Sequence, residues 1–333
     1  MTNRAWYVRI PRSGIDGATI YDDNVVAALE RLGICVQQVE ATPVGRERSI
    51  VEGILRGASP TVFRYSLADE QLRMLQESDD TLIISHEDLS LIAEHLSARR
   101  KIYVILHNLP GAFTDAIFSG RRLMCPFARR YEQGLLKSAN VTPIVLSVRE
   151  QRVINGEYAP ANRARLLQPG HPVASELPPR ALQNADMVIS GTRGWSYKRR
   201  DMSWFRSKVL SELSFDPEWM GTMYADLSFR SAYPMVEPED AMPPDGGIRV
   251  GVITDRFVTG FKLKAVWYVA NYCVVAAAID VAEEFQGIPF AERFVRRFSD
   301  AKGLEAILHE ATAIDEHSFG VFRAAVLDRY NWK

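Results

Sequence analysis

An alternation of apolar runs, a glycine loop and a helical pattern towards the end of the chain constrains its fold most. The apolar run Ile248–Ile253 ends at a polar loop that contains Thr259 and Gly260, and the helical stretch Lys264–Ala270 follows. A second apolar run, Cys273–Ala278, comes directly after this stretch. A strand, a glycine loop, a helix and a second strand in this order place a helix N-terminus where an anion binds. The segment therefore predicts a parallel strand–helix–strand unit with an anionic ligand.

Two lysines, Lys262 and Lys264, flank the predicted start of that helix. Ammonium groups beside a helix N-terminus favour a phosphate group as the anion, because both contribute positive charge. The alternative interpretation is a buried strand–helix–strand unit whose two lysines are merely solvated.

Length and composition predict a soluble protein of two domains. The chain has 333 residues, of which 47% are hydrophobic. A chain of this length usually forms more than one hydrophobic core. The formal net charge of -1 gives no field that would attract nucleic acid. The sequence shows neither a signal-peptide core nor roughly 20 consecutive apolar residues, so we expect a cytoplasmic protein. Cys35 and Cys273 lie in apolar runs and are expected to be buried thiols, and with Cys125 they lack metal-ligand spacing.

The first part of the chain alternates between strand and helix patterns. A helix is predicted over Asp22–Leu32, with Asp23 or Asn24 as its N-cap and Gly33 at its end. Short, continuous apolar runs are typical of parallel strands that are covered by helices on both faces. These runs are Trp6–Ile10, Cys35–Val39, Thr81–Ser85, Lys101–Leu106 and Val141–Leu146.

The stretch Gln151–Pro179 is rich in turn residues and proline, which predicts the linker between two domains. We expect an N-terminal domain over 1–165 and a C-terminal domain over 166–317. A second alternating series begins at Ala185–Gly191 and includes the glycine-loop segment. A final helical pattern ends the chain, over 318–333.

The spacing of the glycine-loop segment resembles that of the group 1 glycosyltransferases of the GT-B fold. The matching residues are Gly260–Leu263, Ala270 and Cys273–Val275. Three further segments resemble the strand that closes the first domain, the entry to the second domain, and the strand, loop and helix that open it. These are Ala139–Ser147, Leu166–Gly170, and Ser190–Trp195 with Asp201–Phe205.

The resemblance implies an α/β protein of two Rossmann-like domains, with parallel sheets that face a central cleft. The first domain would bind a hydroxyl acceptor (a glycan, a glycolipid or a polysaccharide intermediate), and the second a nucleotide-sugar donor. A basic residue at the position of Lys264 contacts the nucleotide diphosphate in some relatives. Many relatives also carry two glutamates at the positions of Thr259 and Trp267, and this chain lacks both. The terminal helix is expected to pack against the first domain, again by resemblance.

Glycosyl transfer needs groups that neutralise the charge of the departing diphosphate. The donor-binding candidates are Arg193, Lys198, Thr259, Gly260, Lys262 and Lys264. Arg193 and Lys198 have an alternative interpretation as solvated loop charges. No acidic pair of the kind that binds a catalytic metal ion stands in a suitable context, so we expect neither a metal nor another cofactor.

His107 directly follows the predicted strand Lys101–Leu106. Residues at the carboxyl end of a parallel strand point into the crevice where α/β folds bind ligands. His107 is therefore a candidate for holding the donor sugar or the acceptor, or for acting as a base, and group 1 enzymes often place a functional histidine near such a strand. The alternative is a histidine that caps the next helix, and His86 competes for the same role.

The loop after the first predicted strand contains Gly14, Asp16 and Gly17. It resembles the glycine loop on the acceptor side of GT-B first domains, where backbone approaches a ligand closely. Asp16 is a candidate general base, although an aspartate beside a glycine is more often a turn residue. The loop lacks the glycine spacing of a dinucleotide fingerprint.

A basic stretch with bulky apolar residues, Phe113–Lys137, carries five positive and two negative side chains. Such a stretch is typical of a surface that contacts an anionic membrane, and the alternative is a helix pair with a solvated face. A peripheral position on the inner face of the membrane would follow from the first interpretation.

Two other functions stay open at the level of sequence. One is a nucleotide-sugar epimerase on the same architecture. The other is a non-catalytic relative that binds a nucleotide sugar, which the absence of both glutamates would explain. The donor sugar, the acceptor and the stereochemical outcome are not determined by these patterns.

Overall fold

The computed structural model describes most of the chain. The chain divides into two compact units. Unit 1 is Met1–Pro169 with Thr259–Phe261 and Trp332–Lys333, and unit 2 is Gly170–Val258 with Lys262–Asn331. The described residues are 4–11, 17–56, 60–109, 125–170, 187–189, 196–215, 219–221, 248–256 and 260–330.

Unit 1 contains a six-stranded sheet in the order β2-β1-β5-β6-β7-β8, and every neighbouring pair is parallel. The strands are β1 (Arg4–Arg9), β2 (Cys35–Glu40), β5 (Thr81–Ser85), β6 (Ile102–Leu106), β7 (Val141–Val145) and β8 (Arg165–Leu166). A separate antiparallel pair is formed by β3 (Thr42–Pro43) and β4 (Tyr65–Ser66). The helices are α1 (Gly17–Arg31), α2 (Arg46–Arg56), α3 (Asp69–Glu77), α4 (Ser90–Ser97), α5 (Cys125–Leu136) and α6 (Val148–Val153).

Both faces of the central strands β1, β5 and β6 are mostly buried, as their continuous apolar runs predict. Consecutive residues of one strand enter different core clusters, since strand side chains alternate between faces. Tyr7 of β1 packs in the cluster that contains Val25 and Val26 of α1, whereas the adjacent Val8 packs in a cluster with Ala93 of α4. Helices on both sides of a parallel sheet leave its carboxyl-end edge as the natural place for a ligand.

Unit 2 contains a five-stranded sheet in the order β10-β9-β11-β12-β13, again parallel throughout. The strands are β9 (Met187–Ile189), β10 (Trp219–Gly221), β11 (Arg249–Ile253), β12 (Cys273–Ala277) and β13 (Val295–Arg297). The helices are α7 (Ser196–Lys208), α8 (Leu263–Ala270), α9 (Ala291–Phe294), α10 (Ala301–Ala311) and α11 (Glu316–Arg329). The glycine-loop segment thus forms the predicted unit of β11, loop, α8 and β12.

Four expectations about local structure need correction. The first helix begins at Gly17, so Asp23 and Asn24 lie inside it and do not cap it. The predicted linker over Gln151–Pro179 is wrong in its first half, because this part contains the end of α6, a π-helix and β8. Cys35 is exposed at the start of the edge strand β2, whereas Cys273 is buried as expected.

The fourth correction concerns the end of the chain. The terminal helix α11 groups with unit 2, although we expected it to pack against the first domain. Its apolar side chains Phe319 and Phe322 contact Phe294, and Arg323 donates two hydrogen bonds, of 3.0 and 2.9 Å, to the backbone oxygen of Ala270. In the described part of the chain, no helix is both long and apolar enough to cross a bilayer.

Gly251 of β11 is expected to tolerate no larger side chain. An added Cβ would lie 2.2 Å from Cγ of the buried Tyr268, whose hydroxyl donates a 2.9 Å hydrogen bond to the backbone oxygen of Val252. Gly251→Ala should destabilise the protein by about 1–3 kcal/mol through overpacking. Gly320→Ala in α11, where a Cβ meets open space, should instead stabilise it by about 0.5–1 kcal/mol. Thermal unfolding of both variants checks this, and equal shifts would contradict the packing described for Gly251.

Candidate functional site

A group of polar residues, here called the histidine cluster, lies in unit 1 at the carboxyl ends of β5 and β6. Its members are Asp22, Ser85, His86 and His107. Ser85 is the last residue of β5, and His107 directly follows β6, the neighbouring parallel strand. Asp22 comes from α1 and is on its buried face. His107 therefore lies at the carboxyl end of its strand, as the apolar run before it predicts.

The side chains of the histidine cluster are joined by short hydrogen bonds. Oδ1 of Asp22 accepts from the Tyr7 hydroxyl at 2.7 Å and from the Ser85 hydroxyl at 2.5 Å. Nε2 of His107 lies 2.9 Å from Ser85 Oγ and 3.5 Å from Asp22 Oδ1. Only 3% of Asp22 and 6% of His107 are exposed, so these contacts are made in a largely dry environment.

Asp22 keeps its negative charge in this buried position. Burial raises the pKa of a carboxyl group, but the hydrogen bond and charge of His107 and the hydroxyl groups of Ser85 and Tyr7 outweigh it, and the pKa of Asp22 is lowered. Burial, followed by the charge of Asp22, raises the pKa of Tyr7, which therefore remains a hydrogen-bond donor.

The backbone around His107 is fixed by neighbouring groups. Oε2 of Glu87 accepts from the backbone N–H groups of His107 and Asn108 at 3.1 and 3.2 Å. The ring of His86 stacks on that of His107 with 5.3 Å between centroids, and the ring of Tyr21 meets it edge-on at 5.2 Å. His86 itself has a φ of 101°, a strained value for a residue with a side chain. His86 thus lies in direct contact with His107.

Asp88 should make the stability of the protein depend on pH. Burial and the charge of Glu87 raise the pKa of Asp88 to about 6, against the opposing effects of His86 and Arg64. The folded state then binds a proton more tightly than the unfolded chain. The stabilisation is complete below the ordinary pKa and is lost as the pH rises through about 6.

Asp88→Asn removes this titration. We therefore expect the melting temperature of this variant to rise relative to that of the natural protein as the pH increases from 4 to 7. The gain should correspond to about 1–3 kcal/mol at the upper end of the range. A difference in melting temperature that is the same at every pH would show that folding does not raise the pKa of Asp88.

The tip of the glycine loop belongs to the same unit as the histidine cluster, because Thr259–Phe261 groups with unit 1. The backbone N–H of Gly260 donates a 2.8 Å hydrogen bond to Oε1 of the buried Glu150 of α6. Gly260 has a φ of 61°, and an added Cβ would lie 2.2 Å from the backbone oxygen of His107. Close approach of two backbone segments thus explains why a glycine stands here.

A second group of charged residues, here called the lysine cluster, lies in unit 2 and comes from α7, from the chain between β11 and α8, and from the first turn of α8. Its members are Lys198, Asp255, Lys262 and Lys264. Oδ2 of Asp255 lies 3.0 Å from Nζ of Lys262 and 3.3 Å from Nζ of Lys264. The side chains of the two lysines are 13% and 17% exposed, and that of Asp255 is 5% exposed. Two ammonium groups thus share one carboxylate oxygen in a mostly buried position.

The lysine cluster has an excess of positive charge. Burial alone would raise the pKa of Asp255, but Lys262, Lys264 and Lys198 hold it well below its usual value, so Asp255 is ionised. Burial lowers the pKa of Lys264, although Asp255 acts in the opposite direction. The Lys262 side chain does not cap α8. An anion at the N-terminus of α8 would reduce the repulsion between the lysines. It would also interact favourably with the positive end of the helix dipole.

Asp201 and Arg256 extend this part of unit 2. The backbone N–H of Arg256 donates a 3.0 Å hydrogen bond to Oδ2 of the buried Asp201 of α7. The guanidinium of Arg256 lies over the ring of Trp204, 4.8 Å from its centroid. These contacts hold the chain directly after Asp255, where β11 has ended.

The structure brings together His107 with Gly260, and Lys198 with Lys262 and Lys264. Gly17 starts α1. Gly14, Asp16, Arg193 and Thr259 lie outside the described residues. Among the described residues, no group of three or more histidine, cysteine, aspartate or glutamate side chains is arranged to hold a metal ion.

Sequence reasoning missed Asp22, Ser85, Glu150 and Asp255. Two of these had a recognisable signal. Asp22 shares one helix face with Val25, Val26 and Leu29, so the helical spacing places its carboxylate on the apolar side of α1. Asp255 follows a buried strand just as His107 does.

No family model matches this chain, and no curated protein matches it. Solved structures do. A sucrose-phosphate synthase from Thermosynechococcus elongatus has a TM-score of 0.67 to this chain at 14% identity, over 99% of this chain and 95% of that one. The fold is GT-B. An α,α-trehalose-phosphate synthase (UDP-forming) from Burkholderia vietnamiensis has a TM-score of 0.58 at 12% identity, over 99% of this chain and 95% of that one.

The Anabaena protein HepE, solved in complex with UDP and glucose, has a TM-score of 0.54 to this chain at 12% identity. The match covers 99% of this chain and 96% of HepE. The GT-B fold accounts for the two parallel sheets, each in a unit with helices of its own.

Proposed function

We propose that this GT-B protein is a glycosyltransferase that moves a sugar from a nucleoside-diphosphate donor to a hydroxyl acceptor. The lysine cluster carries the proposal. Lys262 and Lys264 stand at the N-terminus of α8, after the loop that follows β11, and share the buried carboxylate of Asp255. A departing diphosphate gains negative charge, and ammonium groups with little exposure stabilise that charge more strongly than they would in water.

Two similar structures support uridine diphosphate as the nucleotide to test first. HepE was solved with UDP and glucose, and the trehalose-phosphate synthase is described as UDP-forming. In the proposed donor site, Lys262 and Lys264 bind the diphosphate, and Lys198 adds positive charge. Arg193, Thr259 and Gly260 complete the set that the sequence assigns to the donor.

The histidine cluster is proposed as the part that binds the sugar or the acceptor. His107 provides a ring nitrogen at the carboxyl edge of the unit 1 sheet, and Gly260 lies against its backbone oxygen. The loop with Gly14, Asp16 and Gly17 is proposed to approach the acceptor, with Asp16 as a base if the reaction inverts the configuration.

The test is an assay of purified protein with UDP-sugars, in the presence and absence of hydroxyl acceptors and with a chelator. We expect UDP release that depends on an acceptor and that survives the chelator, because Lys262 and Lys264 neutralise the leaving group. Conversion of the nucleotide sugar in the absence of an acceptor would contradict this proposal and indicate a nucleotide-sugar epimerase. Binding without turnover would indicate a non-catalytic relative, which the loss of both glutamates at Thr259 and Trp267 would explain.

Contact with a membrane is a further part of the proposal and rests on the basic composition of Phe113–Lys137. Residues 113–124 lie outside the described part of the chain, while Arg129 of α5 is paired with Glu157 at 2.7 Å. Sedimentation of the protein with anionic liposomes should decrease as the salt concentration rises, because salt screens the attraction. Equal sedimentation with neutral and anionic liposomes would contradict this part.

A further inference from the structure

Asp255 has a fixed place in the lysine cluster, whereas the lysines around it have long, flexible side chains. It lies just beyond the end of β11, and the backbone N–H of the next residue, Arg256, donates a 3.0 Å hydrogen bond to the buried Asp201 of α7. The backbone is thus anchored on both sides of Asp255. Each lysine carries its ammonium group at the end of a four-carbon chain, so the lysines adjust to the carboxylate.

The two nearest ammonium groups meet at one oxygen atom of Asp255. Oδ2 of Asp255 lies 3.0 Å from Nζ of Lys262 and 3.3 Å from Nζ of Lys264. None of the three side chains is more than 17% exposed, so little water screens the repulsion between the two lysines. Two buried amines this close to each other need a counter-charge if both are to stay protonated.

Asp255 is the main counter-charge of Lys264. Burial lowers the pKa of Lys264, Asp255 acts against this effect, and the charge of Lys262 acts with it. Asp201 also favours the charged form of Lys264, but less than Asp255 does. Asp201 has partners of its own, since it accepts the backbone N–H described above and its Oδ1 lies 3.4 Å from Nε of Arg200. Asp201 is thus a poor substitute for Asp255.

We propose that Asp255 is a positioning residue of the donor site, which holds the ammonium groups of Lys262 and Lys264 side by side and keeps Lys264 charged for a diphosphate. This inference rests on the proposed function, because it assigns a role within the site that binds the nucleotide. Lys198 adds a third positive charge, so the cluster attracts an anion even though Asp255 is ionised. Lysine side chains that are ordered before the ligand arrives lower the entropic cost of binding.

The rival role for Asp255 is that of a competitor, which occupies the lysines until a ligand displaces it. The two roles predict different responses to Asp255→Asn. Loss of a competitor strengthens the binding of a diphosphate at every pH. Loss of the counter-charge makes binding weaken as the pH rises, because a neutral Lys264 no longer attracts the diphosphate.

The charge of Lys264 can be measured in the ligand-free protein. NMR with 13C-labelled lysine follows the titration of each amine through its Cε signal, and Lys264→Arg identifies the signal of Lys264 by removing it. We expect Lys264 to titrate at a lower pH in Asp255→Asn than in the natural protein. Asp328→Asn, which removes an exposed carboxylate of α11 in the same unit, should leave the titration unchanged. An unchanged titration in Asp255→Asn would overturn the proposal.

A second comparison applies if Asp255→Asn does not fold. In Lys262→Met, Lys264 has the carboxylate of Asp255 without its competing neighbour. Addition of Asp255→Asn to this variant removes one charge of each sign relative to the natural protein, so the net charge of the cluster is restored. Lys264 should titrate at a lower pH in the double variant than in Lys262→Met alone. Equal titration in these two variants would overturn the proposal.

Calorimetric titration with UDP tests the consequence for binding. The ionisation of UDP itself cancels in the ratio of the Kd of Asp255→Asn to that of the natural protein. We expect this ratio to rise by at least about fivefold between about pH 6 and pH 8.5, since one linked proton changes binding by up to about tenfold per pH unit. The same ratio for Asp328→Asn should stay within about twofold of one, because exposed charges are screened.

A ratio for Asp255→Asn that is the same at every pH, or that lies below one throughout, would overturn the proposed role of Asp255. If the natural protein binds no UDP at any pH, the proposed function fails at the donor site. The titration of Lys264 in the ligand-free protein still decides whether Asp255 keeps this lysine charged.

Discussion

Lys264→Ala is expected to weaken the binding of UDP by roughly ten- to 150-fold. A charge-assisted hydrogen bond of about 1.5–3 kcal/mol would be lost at a lysine whose side chain is only 17% exposed. The variant should fold, because the buried carboxylate of Asp255 keeps Lys262 as a partner at 3.0 Å. Isothermal titration calorimetry with UDP measures the change in Kd, and a thermal melt confirms the fold.

Lys302→Ala is the matched control for that experiment. Lys302 lies in α10 of the same unit and is exposed, so its removal changes the net charge by the same amount away from the lysine cluster. Binding to this variant should stay within about twofold of the natural protein, because exposed charges are screened. Equal Kd values for all three proteins would remove Lys264 from the donor site.

Gly260→Ala should reduce turnover more than any other single methyl group added to a described glycine. The backbone at φ 61° is strained for alanine by about 1–2 kcal/mol. The new Cβ would also lie 2.2 Å from the backbone oxygen of His107, an atom that cannot rotate away. The loop must move to relieve this clash, and its hydrogen bond to Glu150 is then lost. We expect turnover to fall by at least about tenfold.

Gly33→Ala separates the effect of backbone strain from the effect of the clash with His107. Gly33 has a φ of 78° in the same unit, but a Cβ there meets no atom within 4 Å. This variant should show the strain alone, as a loss of about 1–2 kcal/mol in stability with unchanged turnover. If Gly260→Ala and Gly33→Ala lose equal stability and neither loses turnover, the close approach of Gly260 to His107 does not exist in solution.

The strands and the glycine-loop unit could be predicted from the sequence because each depends on local pattern. Continuous apolar runs predicted β5, β6 and β11 to within one residue. His107 could be placed by the rule that parallel strands end at a common edge. The antiparallel pair of β3 and β4 had no comparable signal, since each strand has only two residues.

The partners of the candidate site residues could not be predicted in this way. Glu150 and Gly260 are 110 residues apart in the chain, and no local pattern relates a helix carboxylate to a distant loop N–H. Likewise, the sequence predicted the lysines beside α8 to bind a phosphate group or to be solvated, and it did not indicate that the structure pairs both with Asp255. Ion pairs depend on the path of the loop between them, which the composition of that loop leaves open.

Thermal unfolding in the presence of UDP, UMP and inorganic phosphate tests the central claim most directly, because a ligand that binds only the folded state raises its melting temperature. The account predicts that UDP raises the melting temperature of the natural protein and of Lys302→Ala, and that UMP and phosphate raise it less. Lys264→Ala should lose most of the effect of UDP. A shift by UDP that is as large in Lys264→Ala as in the natural protein, or no shift by any nucleoside diphosphate, would contradict a diphosphate site at the lysine cluster.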